Sequence, residues 1–213
     1  MKITVVYDNE VKKRGLMAGW GFSALIESEK TPPILFDTGA DSSTLAHNMR
    51  ELNIDPKNMG TIVISHAHGD HTGGLSEILR INETAELFLP GSFRRAFPGR
   101  RVTMVKDAMQ IREDVFSTGE LEGMEQSLAL RTEKGIFVVT GCAHPAMRNI
   151  LGAASKFGKL YGIAGGFHGF RDFKLFEGLS IIYPCHCTQY KMKILDLFPD
   201  KALQCGVGLE LEL

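Results

Sequence analysis

Nowhere in the 213 residues does an apolar run approach the roughly 20 residues that a membrane-spanning helix needs, so no span is expected. Excess charge is also missing. The 24 Lys and Arg are balanced by 25 Asp and Glu, which removes the broad basic surface of a general nucleic-acid binder. Cysteine is sparse, at four residues, and a chain of this length can bury its own core without a disulfide framework. No linker rich in Pro, Gly or Ser interrupts it and no repeat recurs, so residues 1–213 are expected to form a single domain. Met1–Asp8 reads as a strand and lacks the features of a signal peptide. The expectation is therefore a cytoplasmic protein in which Cys142, Cys185, Cys187 and Cys205 are thiols and not cystines.

What the chain does have is a succession of short apolar runs bounded by Gly, Pro, Asn and Asp. Strands are expected at Ile3–Tyr7, Ser23–Ser28, Ile34–Phe36, Thr61–Ser65, Glu86–Leu89 and Val102–Val105, then at Ala108–Phe116, Ser127–Arg131, Ile136–Thr140, Leu160–Ile163, Leu179–Tyr183 and Leu209–Leu213. Helical spacing marks Asp41–Leu52, Gly74–Leu79, Pro145–Phe157 and Thr188–Phe198, with Asp41 or Ser42 suited to the first N-cap. Strands cluster, with helices inserted after particular strands. That pattern predicts an α/β (α+β) architecture of two packed sheets with helices on their outer faces.

Potential metal ligands concentrate in Ser65-His66-Ala67-His68-Gly69-Asp70-His71, between a strand and a Thr-Gly-Gly turn. His66, His68, Asp70 and His71 can converge on one point if the loop bends at Gly69. Imidazole and carboxylate suit zinc, and also iron or manganese. Two more histidines follow strands, His144 in Gly141-Cys142-Ala143-His144-Pro145 and His186 in Cys185-His186-Cys187. If that last segment is extended, its cysteines point away from His186 and are buried thiols. His168, in Gly165-Gly166-Phe167-His168, is a further candidate for the site, whereas His47 sits on a polar helix face. Arg94 and Arg95 are two surface arginines that could also hold a substrate phosphate or carboxylate.

The His-x-His-x-Asp-His segment resembles the signature of the metallo-β-lactamase superfamily, and Leu35-Phe36-Asp37-Thr38-Gly39 resembles that superfamily's early strand-and-turn element. The resemblance implies a four-layer αββα sandwich with one or two divalent metals at one edge, zinc first. It assigns His66, His68 and His144 to one metal and Asp70, His71 and His186 to the other, with Asp37 orienting a metal-bound histidine. Asp70 and His168 are the candidate catalytic residues. The carboxylate that bridges two metals in hydrolytic members has no counterpart here, and the role of Cys142 stays open.

Thr-Gly-Cys-Ala-His-Pro, Gly-Gly-Phe-His and Pro-Cys-His-Cys-Thr narrow the resemblance to a subgroup of metal-dependent hydrolases (β-lactamase superfamily II). That subgroup also contains a synthase of the dihydropterin-methyl-aminobenzene ribotide phosphate type. The first implied activity is hydrolysis of a small ester, thioester or phosphoester by metal-activated hydroxide. The alternative is a pterin-dependent transferase, and a non-catalytic metal or ligand sensor is a third. The expected partner is a small molecule, phosphorylated if Arg94 and Arg95 bind it, and neither nucleic acid nor membrane.

Overall fold

The computed structural model describes Met1–Leu213 and contains two β-sheets. The first has seven strands in the order β13-β1-β2-β3-β4-β5-β6. These are β1 (Lys2–Tyr7), β2 (Ser23–Ser28), β3 (Thr31–Phe36), β4 (Thr61–Val63), β5 (Glu86–Pro90), β6 (Val102–Val105) and β13 (Glu210–Glu212). The second has six, in the order β12-β11-β10-β9-β8-β7. They are β7 (Met109–Arg112), β8 (Val115–Ser117), β9 (Leu128–Thr132), β10 (Gly135–Thr140), β11 (Leu160–Gly166) and β12 (Ile181–Cys185).

The central strands of each sheet are apolar on both faces because both faces are covered, whereas the edge strands β6, β7 and β13 leave residues exposed. Ile34, Phe36, Phe137 and Val139 point between the sheets and join one core. Leu35 and Ile62 point outward, onto α1 (Ser42–Glu51) and α3 (Leu75–Ile81), the second of which follows the short helix α2 (Gly69–Thr72). On the opposite face, Ile136 and Val138 meet α4 (Met147–Ala154) and α5 (Lys191–Leu197). Each such side chain, fully buried, contributes roughly 1.5–3 kcal/mol. The layers run αββα. No helix is long and apolar enough to cross a membrane.

The expected Ala108–Phe116 strand is instead a hairpin. Arg112 pairs with Val115 across Glu113-Asp114, and Asp114 adopts φ +60°. An apolar run on one face conceals such a turn, because Glu113 and Asp114 look like outward-facing strand residues. The thiol expectation also fails in part. Cys185, at the end of β12, is disulfide-bonded to Cys205 with a Cα–Cα separation of 5.2 Å. The turn after α5 carries Ala202 back to an isolated bridge with Ile182, which brings the two cysteines together. Sequence spacing carries no sign of that return. Cys142 and Cys187 remain thiols, both buried.

Strand direction places the site. β3, β4 and β5 run parallel in one sheet, and β10, β11 and β12 run parallel in the other. Their carboxyl ends gather at one edge of the sandwich, where open α/β sheets present their functional loops.

Candidate metal centre

Each potential ligand follows the carboxyl end of a strand. His66 and His68 come after β4, with Asp70 and His71 on α2. His144 follows β10 and His186 follows β12. The ring centroids of His66 and His144 are 4.7 Å apart, those of His68 and His144 4.8 Å, and those of His71 and His186 5.1 Å. The six residues that the resemblance groups into two sets therefore meet at one place.

Hydrogen bonds set which nitrogen of each ring faces that place. His71 donates Nδ1–H to Asp37 Oδ2 at 2.7 Å. His186 Nδ1 is 2.9 Å from Asn9 Oδ1. His66 Nδ1 is 2.9 Å from Ser65 Oγ, which itself donates to Asp37 at 2.7 Å. With each Nδ1 engaged, Nε2 is the free donor atom in these three rings. His66 Nε2 lies 3.0 Å from His68 Nδ1, and His186 Nε2 lies 3.2 Å from Asp70 Oδ2 at an angle that forms no hydrogen bond. Ligands about 2.0–2.1 Å from a tetrahedral zinc stand at roughly such separations from one another.

Two buried nitrogens, His144 Nε2 and His186 Nε2, have no hydrogen-bond partner. An unsatisfied buried donor or acceptor costs about 1–3 kcal/mol. Here both atoms face a cluster of further donor atoms, the arrangement a cation would satisfy, so the residues fit divalent metals. Protonation is disfavoured as well. Burial and the neighbouring imidazoles push His66 down, and burial followed by His71 pushes His186 down to about 4. These rings keep their lone pairs at neutral pH. His71 behaves differently. Burial opposes its charged form, but the Asp37 carboxylate overrides that and lifts the imidazole above its ordinary value. Burial likewise pushes the Asp37 carboxyl up, against the bonds it accepts from His71 and Ser65. The pair is one Nδ1–H···O bond, with Asp37 the acceptor.

The loop that carries Cys142 and His144 is shaped by Glu125. Its Oε1 accepts from Thr140 Oγ1 and from the amides of Gly141, Cys142 and Ala143, and its Oε2 accepts from the His144 amide, at 2.9 to 3.2 Å. Next to it, Gln126 donates to the carbonyls of Ile64 and Phe88 in the other sheet. These two residues hold one half of the ligand set against the other. On the far side Asp8 accepts from the His186 amide at 3.0 Å. Trp20 donates Nε1–H to Asp70 at 3.1 Å and sets its ring edge-on to His186. No local pattern in the sequence marks Glu125, Gln126 or Trp20. Asp8 and Asn9, directly after a strand that runs toward the site edge, carried the one usable signal.

Two details differ from expectation. Gly69 begins α2 with ordinary backbone and no neighbour within 4 Å of where a Cβ would stand, so no bend requires it. The close turn belongs to Gly73, where a Cβ would lie 1.9 Å from the Ala40 carbonyl oxygen. The Cys185-His186-Cys187 segment is not extended, because His186 has φ +43°. Cys187 consequently turns inward, with its Sγ 3.3 Å from Cys142 Sγ. His168 is exposed at the rim, its ring 5.3 Å from that of His144. Arg94 donates to the Gly91 carbonyl and Arg95 to Ser76 Oγ on α3. Four of the seven non-glycine residues with positive φ, Asp37, Ala143, His168 and His186, lie in the loops of this site.

A sandwich that gathers its donors at the strand ends in this way is the arrangement of the metallo-β-lactamase superfamily. The family model described as "Metallo-beta-lactamase superfamily" matches residues 19–100 of this chain. It is 28% identical to the 7,8-dihydropterin-6-methyl-4-(β-D-ribofuranosyl)-aminobenzene-5'-phosphate synthase of Methanocaldococcus jannaschii, over 80% of this chain and 81% of that protein. The crystal structure of Tm1679, described as a metal-dependent hydrolase of the beta-lactamase superfamily, superposes with a TM-score of 0.80 at 27% identity, over 100% of this chain and 99% of the other. The metallo-beta-lactamase fold protein YhfI of Bacillus subtilis shares the fold at 12% identity, with a TM-score of 0.70 over 99% of both chains.

Proposed function

We propose that this chain is a metal-dependent hydrolase of small ester, thioester or phosphoester substrates. The observation that carries the reading is the convergence of His66, His68 and His144 with Asp70, His71 and His186 around two buried, unpartnered imidazole nitrogens. The first three residues would hold one metal and the second three the other. Bound divalent metals, zinc first, supply Lewis acidity and lower the pKa of water. Asp37, Asn9 and Ser65 orient imidazoles so that their Nε2 atoms face inward. His168, exposed beside His144, is placed to hand a proton to a leaving group at the mouth. Trp20 packs its ring edge-on against His186 beside the same ligands. The likeness to Tm1679 supports hydrolysis.

The similarity to the dihydropterin synthase supports a second reading, transfer of a pterin-methyl group to a ribosylated aminobenzene phosphate. One experiment separates the two. Zinc-loaded protein is assayed on ester, thioester and phosphodiester panels and, in parallel, on a dihydropterin-methyl diphosphate with the aminobenzene ribotide, each with H66A as control. Hydrolysis lost in H66A supports the first reading. Turnover only in the pterin mixture replaces it with the second. Bound metal with no turnover in either assay overturns both.

A further inference from the structure

Cys142 Sγ belongs to both ligand groups. It lies within 4.8 Å of the donor atoms of Asp70, His71 and His186, and within the same limit of those of His66 and His144. Its separation from His71 Nε2 is 3.1 Å. No other side chain is shared between the two groups. Three features hold the sulfur there. Glu125 fixes the Cys142 amide, Ala143 turns the chain with φ +54°, and the Cys187 thiol donates to Cys142 Sγ at 3.3 Å. The end of β11 leaves room for this sulfur pair. At Gly166 a Cβ would stand 2.7 Å from Cys187 Sγ and 3.3 Å from Cys142 Cα. The strand end next to the pair is thus kept free of a side chain.

We propose that Cys142, as a thiolate, is the ligand shared by the two metal positions, with Cys187 as hydrogen-bond donor to the bridging sulfur. The proposal rests on the two-metal reading above and adds the ligand which that reading lacks. Ligation replaces the thiol proton, which is released to solvent, by metal–sulfur bonds. Thiolate is a soft ligand, so the site favours zinc or cobalt over manganese and magnesium, which prefer all-oxygen or oxygen-rich sites. The Cys187 donor stands to this sulfur as Asp37 stands to His71, an outer partner that holds a ligand in one orientation.

The test is X-ray absorption at the zinc edge on protein loaded to saturation, with metal content measured by mass spectrometry. Expected are two zincs per chain and a sulfur shell at about 2.3 Å with one sulfur per zinc, as a bridge requires. In C142S the shell disappears and affinity for at least one zinc falls more than the ~10–100-fold typical of losing an outer partner. C142D, which offers an oxygen bridge, retains two zincs without the sulfur shell and guards against misfolding of C142S. C187A keeps the shell. Two bound zincs with no sulfur shell overturn the proposal and leave the two-metal reading standing, as does half a sulfur per zinc, the signature of a terminal thiolate. A shell that survives C142S and vanishes in C187A also overturns it. Failure of wild-type protein to bind zinc overturns both.

Discussion

His71 Nδ1 lies 2.7 Å from Asp37 Oδ2 with both side chains completely buried, and this one bond decides which nitrogen of His71 faces Cys142 and His186. Asp37→Asn keeps the size of the side chain and removes its charge. It is expected to weaken zinc binding by about 10–100-fold, the usual loss when an outer-shell acceptor of a ligand histidine is removed. Competition with a chromophoric chelator measures it, and unchanged affinity would show that His71 is oriented by something else.

Glu125 serves five donors from one turn with a side chain that is itself inaccessible. Glu125→Gln turns one acceptor oxygen into a donor group among amides. The expected loss is about 2–3 kcal/mol of unfolding free energy, as for other hydrogen bonds to buried charges. Urea unfolding of metal-free protein reads this directly. A loss below 0.5 kcal/mol, within the range of ordinary surface changes, counts against the clamp.

Two glycines four residues apart should respond in opposite ways. Gly69→Ala adds a methyl group to open space at the start of a helix and is expected to fold and load metal normally. Gly73→Ala pushes a Cβ into the Ala40 carbonyl and is expected to lower the melting temperature sharply or to prevent soluble expression. Thermal scans of the two variants side by side provide the check.

Asp41 caps α1 by accepting from the Thr44 amide and also accepts from Tyr7 Oη and Ser43 Oγ. Partial burial works to raise its pKa, but these bonds outweigh it and hold the carboxyl well below the usual range. A carboxylate depressed in the folded state stabilises above its unfolded value, near 3.9, and that stability fades as pH falls toward the folded value. Asp41→Asn preserves the cap but not the charge. The gap in unfolding free energy between wild type and this variant should be flat above about pH 5 and narrow below about pH 4. A gap that widens with acid would reverse the sign of the argument.

Trp20 is the only tryptophan and donates to Asp70, one of the candidate ligands. Titrating metal-free protein with zinc should therefore change its intrinsic fluorescence, saturating with the stoichiometry measured by mass spectrometry. Asp70→Asn should reduce the change. An emission spectrum indifferent to zinc would place the metal away from Asp70.

The central strands were legible because the sandwich buries both of their faces, so Ile34-Leu35-Phe36 and Ile136–Val139 read as unbroken apolar runs. The ligand histidines were legible for a related reason. A loop at a strand end has no packing use for His-x-His-x-Asp-His. Glu125 was not legible, since in Glu120-Leu121-Glu122-Gly123-Met124-Glu125 it looks like one more solvated acid. Only the return of β9 and β10 buries it. The Cys185–Cys205 pairing and the inward turn of Cys187 depend on the path after α5 and on one left-handed residue, His186, and neither leaves a local pattern.

Left-handed backbone at Asp37, Ala143, His168 and His186 concentrates conformational strain at one edge of the sandwich. An engineer who wanted a hardier protein would begin there, because glycine in place of Ala143 relieves an L-residue of an unfavourable φ. Such relief would loosen the turn that aims Cys142 and His144. The chain thus sets an upper bound on its own robustness, and the stability it forgoes is stability that selection for a tougher scaffold could recover only by blunting the site.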